Sequence, residues 1–167
     1  MLILSKINRS TLIISLALGL FIAPLQASAT QLLAIGVGIY NIDGSTDATD
    51  FQIEYRSNRS VLKELQPWAG FEINSDSALW AGAGLLFDYP LSEQWRIVPS
   101  VGAGLYDPGD SDLDLGSSIE FRSQIEIAYV FANQNRVALA LSHLSNARLG
   151  EDNPGTEVLS IYWQHSF

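Results

Sequence analysis

Few side chains in this sequence are equipped for chemistry at neutral pH. There are two histidines and no cysteine. One histidine stands in Leu141-Ser142-His143-Leu144-Ser145-Asn146-Ala147, and Asn153-Pro154-Gly155-Thr156-Glu157 follows closely. A serine hydroxyl is a poor nucleophile until a base removes its proton. Histidine is the usual base, and a carboxylate orients and steadies the ring. Ser145, His143 and Glu157 are those three residue types. In an extended strand His143 and Ser145 share one face, about 7 Å apart, so the hydroxyl can meet the imidazole. A hairpin that pairs His143 with Glu157 would let the carboxylate hold the ring from the next strand. The same three residues would also suit a polar boundary at the end of an apolar face, and spacing alone leaves both readings open. His165, near the other end of its strand, is expected at an interface rather than in a site.

The lack of cysteine rules out a disulfide scaffold, a thiolate-held metal and thiol catalysis. Ser-His-acid chemistry activates its own nucleophile, so neither a metal nor a cofactor is expected. The acidic stretch Asp107-Pro108-Gly109-Asp110-Ser111-Asp112-Leu113-Asp114 is expected to be a solvated loop rather than a cation site.

The elements that must position these residues are strands. The 167 residues suit one domain. Only 16% are charged and the formal net charge is −9, which argues against a nucleic-acid binder, since neutralising phosphates takes a basic surface. Lys6 and Arg9 precede an uncharged apolar run over 11–25, and Ala27-Ser28-Ala29 follows. That order is a secretory signal peptide over residues 1–29, leaving a mature chain over 30–167 that is still more acidic than the whole. No later segment is long and apolar enough for a membrane helix.

Period-two alternation instead predicts eight strands, over 32–42, 49–57, 66–74, 78–89, 94–106, 117–131, 136–146 and 156–167. Several match the roughly 9–11 tilted residues that cross a bilayer. One face of the sixth carries Phe121, Ile125 and Ile127, and the other carries Glu120, Arg122 and Glu126. The long strands, their even number and the terminal Phe167 favour an all-β fold, an eight-stranded antiparallel transmembrane β-barrel of the bacterial outer membrane, with its apolar face toward lipid. Glu54, Arg56, Glu72, Arg96, Arg122 and Glu126 would then plug the lumen, because eight strands leave room only for side chains. His143, Ser145 and Glu157 fall on the lipid side, near the rim of the longer loops.

The pattern His143-Leu144-Ser145-Asn146-Ala147, then Asn153-Pro154-Gly155 and Glu157, closely resembles the lipid A 3-O-deacylase family, PagL-type outer-membrane esterases. The resemblance implies Ser145 as nucleophile, His143 as base and Glu157 as the orienting acid. It implies Asn153 at the oxyanion hole, with Asn146 as a further candidate or support. It implies an ester hydrolase that removes the 3-O-linked acyl chain of lipid A, the lipopolysaccharide anchor, in the outer membrane. A homodimer is left open. Two other functions share much of the sequence. A non-enzymatic small barrel for adhesion or envelope stability would have the strands but no need of His-x-Ser with a cross-strand Glu. A phospholipase or acyltransferase would have the same nucleophile.

Overall fold

The computed structural model of the protein describes residues 30–44 and 47–167. The expected signal peptide lies outside the described residues. The strands are β1 (Leu32–Tyr40), β2 (Ala48–Arg56), β3 (Leu65–Asn74), β4 (Leu79–Phe87), β5 (Trp95–Asp107), β6 (Ile119–Val130), β7 (Arg136–Ser145) and β8 (Thr156–Ser166). A two-residue piece, Tyr89–Pro90, continues β4 and pairs with Arg96 and Ile97 of β5. The sequence predicts an unbroken strand here. Asp88 interrupts it, with a carboxylate that accepts from Arg136 Nη2 at 2.8 Å. Each strand pairs antiparallel with the next. β8 also pairs with β1, Leu32 opposite Ser166 through Tyr40 opposite Val158. The sheet is therefore a closed eight-stranded barrel.

Alternation puts polar residues inside and apolar ones outside. In β6, Glu120, Arg122, Gln124 and Glu126 are buried, whereas Ile119, Phe121, Ile125 and Ile127 are exposed. β2 repeats this with Gln52, Glu54 and Arg56 inside and Phe51, Ile53 and Tyr55 outside. A water-soluble protein does not expose apolar surface on this scale; a membrane barrel does. The lumen is filled by ion pairs. Arg56 donates through both terminal nitrogens to Glu126, at 3.1 and 2.9 Å, and through Nε to Glu54 at 2.9 Å. Arg122 joins Glu54 and Glu72, and its guanidinium lies 4.4 Å from the Trp68 ring centre. Space for Trp68 and Trp80 comes from glycines on the inner face of β4 and β5. A Cβ on Gly102 would lie 2.7 Å from Trp68, and one on Gly104 2.5 Å from Trp80.

The two rims differ. At the rim holding Leu32 and Phe167, Trp95, Tyr129, Phe131 and Trp163 form a run of ring contacts 5.2–5.9 Å apart, the aromatic girdle expected where a barrel meets the lipid interface. At the opposite rim an apolar cluster shares the interior with buried Asp50, Asn74 and Glu120. Leu144, Val158, Tyr40, Tyr106 and Trp80 are buried together with Leu115 from the β5–β6 loop. Leu144, an apolar residue facing the lumen, is fully covered because this loop folds over it.

Candidate active site

The β7–β8 hairpin sets the site. Register places His143 opposite Glu157, and the two side chains meet at 2.8 Å between Nδ1 and Oε1. A carboxylate can only accept, so Nδ1 is the donor, and in the neutral ring this tautomer leaves the lone pair on Nε2. The inward neighbours Ser142, Leu144, Thr156 and Val158 are buried, so His143, Ser145 and Glu157 occupy the outer face. His143 is 45% exposed and Glu157 34%. On the other flank of His143 stands Ser123 of β6, an exposed hydroxyl among Phe121, Ile125 and Ile127 on the same face. Phe121 stands opposite Ser145.

Past Ser145 the chain turns sharply. Ala147 and Arg148 both have positive φ, 52° and 67°, and Leu149 N–H donates to Asn146 O at 3.0 Å. Two successive left-handed residues closed by this bond make a type I′-like turn. The side chain of Asn146 is fully buried beneath it. Its amide donates to Leu115 O at 2.8 Å and Asp152 O at 2.7 Å, and its oxygen accepts from Arg148 N–H at 2.8 Å. Asn146 thus ties the β5–β6 loop to the β7–β8 loop, and its amide hydrogens are committed to that task. Its backbone N–H donates to Asn153 Oδ1 at 2.9 Å. Asn153 is exposed, and this bond fixes its amide plane with Nδ2 as the remaining donor.

Gly155 has a role that the residue types alone do not reveal. Its φ is +68°, and a Cβ there would lie 2.9 Å from His143 Cε1 and 3.4 Å from Nε2. The bare backbone therefore walls the imidazole on the edge that carries Cε1 and Nε2. Pro-Gly marks a turn in the sequence, but its contact with a ring on the preceding strand follows only from the pairing register. Ser123 was equally invisible, since its neighbour on β7 is set by the same register.

The remaining candidates lie elsewhere. His165 stacks on Phe167 with ring centres 6.4 Å apart, at the rim opposite the candidate site. In the acidic loop, Asp107 and Asp114 accept from Gly109 N–H and Gly116 N–H. Among the described residues, no group of three or more His, Asp or Glu side chains is arranged to hold a metal.

A closed barrel with a polar interior, an apolar exterior and a histidine–carboxylate pair on that exterior defines the class: a small membrane β-barrel with a candidate hydrolytic site facing lipid. The family model described as lipid A 3-O-deacylase (PagL) matches residues 51–166, and the chain belongs to that family. A curated relative, the lipid A deacylase PagL of Bordetella bronchiseptica, is 26% identical over 102 residues, 60% of this chain and 57% of the relative. The chain thus spans somewhat over half of that relative's length. A crystal structure of the outer membrane enzyme PagL superposes with a TM-score of 0.61 at 19% identity, over 81% of this chain and 99% of that one. Neisserial surface protein A, NspA, gives the same TM-score at 16% identity, over 85% and 99%. At such identities the likeness is one of fold, and two differently named barrels match it equally well.

Proposed function

We propose that this protein is an outer-membrane serine esterase that hydrolyses the 3-O-linked acyl chain of lipid A, exported by a signal peptide over residues 1–29. The observation that carries the reading is the His143–Glu157 hydrogen bond, 2.8 Å long, on the lipid side of the barrel and two residues from Ser145. A barrel that needed only to span the membrane would not require a histidine–carboxylate pair there.

The steps follow from the side chains. Ser145 Oγ attacks the ester carbonyl while His143 Nε2 takes its proton. Glu157 holds the ring through Nδ1–H and stabilises the imidazolium. Asn153 Nδ2 donates to the tetrahedral oxyanion, an interaction commonly worth ~3–4 kcal/mol in acyl transfer. His143 then returns the proton to the departing sugar oxygen. Water, activated by the same histidine, hydrolyses the acyl-Ser145 ester and releases the fatty acid. The substrate stays in the outer leaflet throughout, since the site opens sideways.

The test is mass spectrometry of lipid A from cells expressing the protein or its Ser145→Ala variant. The wild type is expected to remove one ester-linked chain from the 3-position, and the variant none. Intact lipid A in both, with the protein folded in the membrane, would overturn the lipid A esterase reading.

A further inference from the structure

One row of outward side chains crosses the site at a single level. Ser123 on β6 stands opposite His143 on β7, and His143 stands opposite Glu157 on β8. Past Ser123 the row turns apolar, because its partner on β5 is Val101. Phe121, Ile125 and Leu141 flank Ser123 on the same face and are exposed, as it is. The hydrogen bonds that build the site leave the Ser123 hydroxyl out. Glu157 accepts from Nδ1 of His143, Asn153 accepts from Asn146 N–H, and the Asn146 amide donates to Leu115 O and Asp152 O. A hydroxyl turned toward hydrocarbon is costly unless it finds a polar partner, and the polar groups within its reach belong to the site.

We propose that Ser123 holds the water that hydrolyses acyl-Ser145. The proposal rests on the esterase reading above and gives its second half-reaction a residue of its own. The two nitrogens of an imidazole point to opposite sides of the ring, so with Nδ1 on Glu157 the Nε2 lone pair points away from β8. The Gly155 backbone closes that same side, where a Cβ would lie 2.9 Å from Cε1. The side left open is that of β6. Directly opposed residues have Cβ atoms about 4.5–5.5 Å apart, so one water fits between Ser123 Oγ and His143 Nε2 with hydrogen bonds near 2.8 Å. Ser145 is on the diagonal at roughly 7–8 Å from Ser123, beyond direct contact but within reach of a water between them. A held water needs two or more polar partners, and Ser123 and His143 supply two. Nε2 accepts one of its hydrogens and Ser123 Oγ the other, which leaves the water oxygen free to face the ester. That oxygen bonds to the acyl carbonyl carbon as its proton passes to Nε2. The tetrahedral adduct then breaks its bond to Ser145 Oγ, which takes the proton back from Nε2, and a fatty acid leaves. Ser123 exchanges no atom and no net proton. Acylation consumes no water, so only deacylation depends on it.

The test uses purified, refolded full-length protein in detergent micelles with lipid A as substrate. Acid-quenched samples give the acyl-enzyme as added mass on the intact chain, and its decay once substrate is exhausted gives its lifetime. Ser123→Ala and Ser123→Val are expected to lengthen that lifetime about tenfold, the scale of one lost hydrogen bond. Their kcat/KM, which reports acylation, should stay within about twofold of wild type. Ser123→Thr keeps the hydroxyl on a β-branched frame like that of valine and should restore the wild-type lifetime. The Thr–Val contrast separates a held water from packing, since the two side chains fill nearly the same space. Heat-modified mobility confirms that each variant is folded. An unchanged lifetime in both Ser123→Ala and Ser123→Val would overturn the proposal. So would a fall in kcat/KM without a longer lifetime, or equal effects of Thr and Val. Ser145→Ala is run alongside. Fatty-acid release from that variant would instead overturn the esterase reading, so the two failures are separate.

Discussion

At the scale of single residues, the site depends on what touches the imidazole. Ser145 and His143 act as a unit in the proposed mechanism, so their losses should not add. Ser145→Ala and His143→Ala are each expected to lower kcat by about 10³-fold or more, with the double variant barely worse than either single one. Multiplying losses in purified enzyme would contradict a shared role. Gly155 provides a test of a different kind. Alanine there meets both a left-handed backbone, which costs about 1–2 kcal/mol for a residue with a Cβ, and the edge of His143, 2.9 Å from Cε1. The ring must move, and a displacement of even 1 Å from the productive geometry costs about 10²-fold in rate. Gly155→Ala is therefore expected to lose about 10²-fold in kcat while the barrel keeps its heat-modified mobility. A nearly unchanged kcat would show that the ring tolerates the intrusion.

At the scale of elements, the hairpin after Ser145 is held by one buried side chain. Asn146→Ala leaves the carbonyls of Leu115 and Asp152 and the N–H of Arg148 without their partner, at about 1 kcal/mol for each lost bond. The two loops should separate, and Asn153 should lose its fixed orientation. The expected result is protease cleavage within 147–155 of the variant but not the wild type, with about a tenfold drop in kcat. Resistance to cleavage would mean that the loops hold each other by other contacts. Much at this scale is legible in the sequence. Strand positions emerge from alternation because polar and apolar residues exchange faces along most of β2 and β6, with Ser123 a polar exception on the outer face. The outward face of His143 and Ser145 follows from the same count. What alternation cannot carry is anything that depends on the neighbouring strand. Asp88 breaks β4 because Arg136 and Arg96, on two other strands, lie close to its carboxylate. Asn146 reads as part of a motif, whereas its burial depends on Leu115, which comes from a different loop. Gly155 reads as a turn glycine, whereas its contact with His143 depends on register.

For the molecule as a whole, the decisive contrast is between a filled inside and an outside that carries the candidate site. Glu54, Arg56, Glu72, Arg122, Glu126 and Gln164 knit the lumen together across the barrel, and Trp68 and Trp80 stack above them with ring centres 6.0 Å apart. Eight strands leave no spare bore once these side chains are in place. Planar bilayers containing the purified protein are therefore expected to show no conductance above that of bare lipid, and stable single-channel steps would refute the packed lumen. The interior and the site are consequently separate structures sharing one wall. The site has a further property. His143 and Glu157 are only 14 positions apart in the chain, and Ser145, Asn146, Asn153 and Gly155 all lie between them. Outside this hairpin, the loop is anchored at the carbonyl of Leu115, the start of the next strand by Ile42 N–H to Glu157 O at 3.2 Å, and the strand ends by packing on Leu115 and Tyr40. A segment so compact is transplantable. Installed in place of the corresponding hairpin of an inert eight-stranded barrel, together with a loop that offers the same carbonyl, it should bring its reactivity along. On this view the barrel is a chassis, and new lipid-directed enzymes can be made by exchanging one hairpin rather than redesigning the whole sheet.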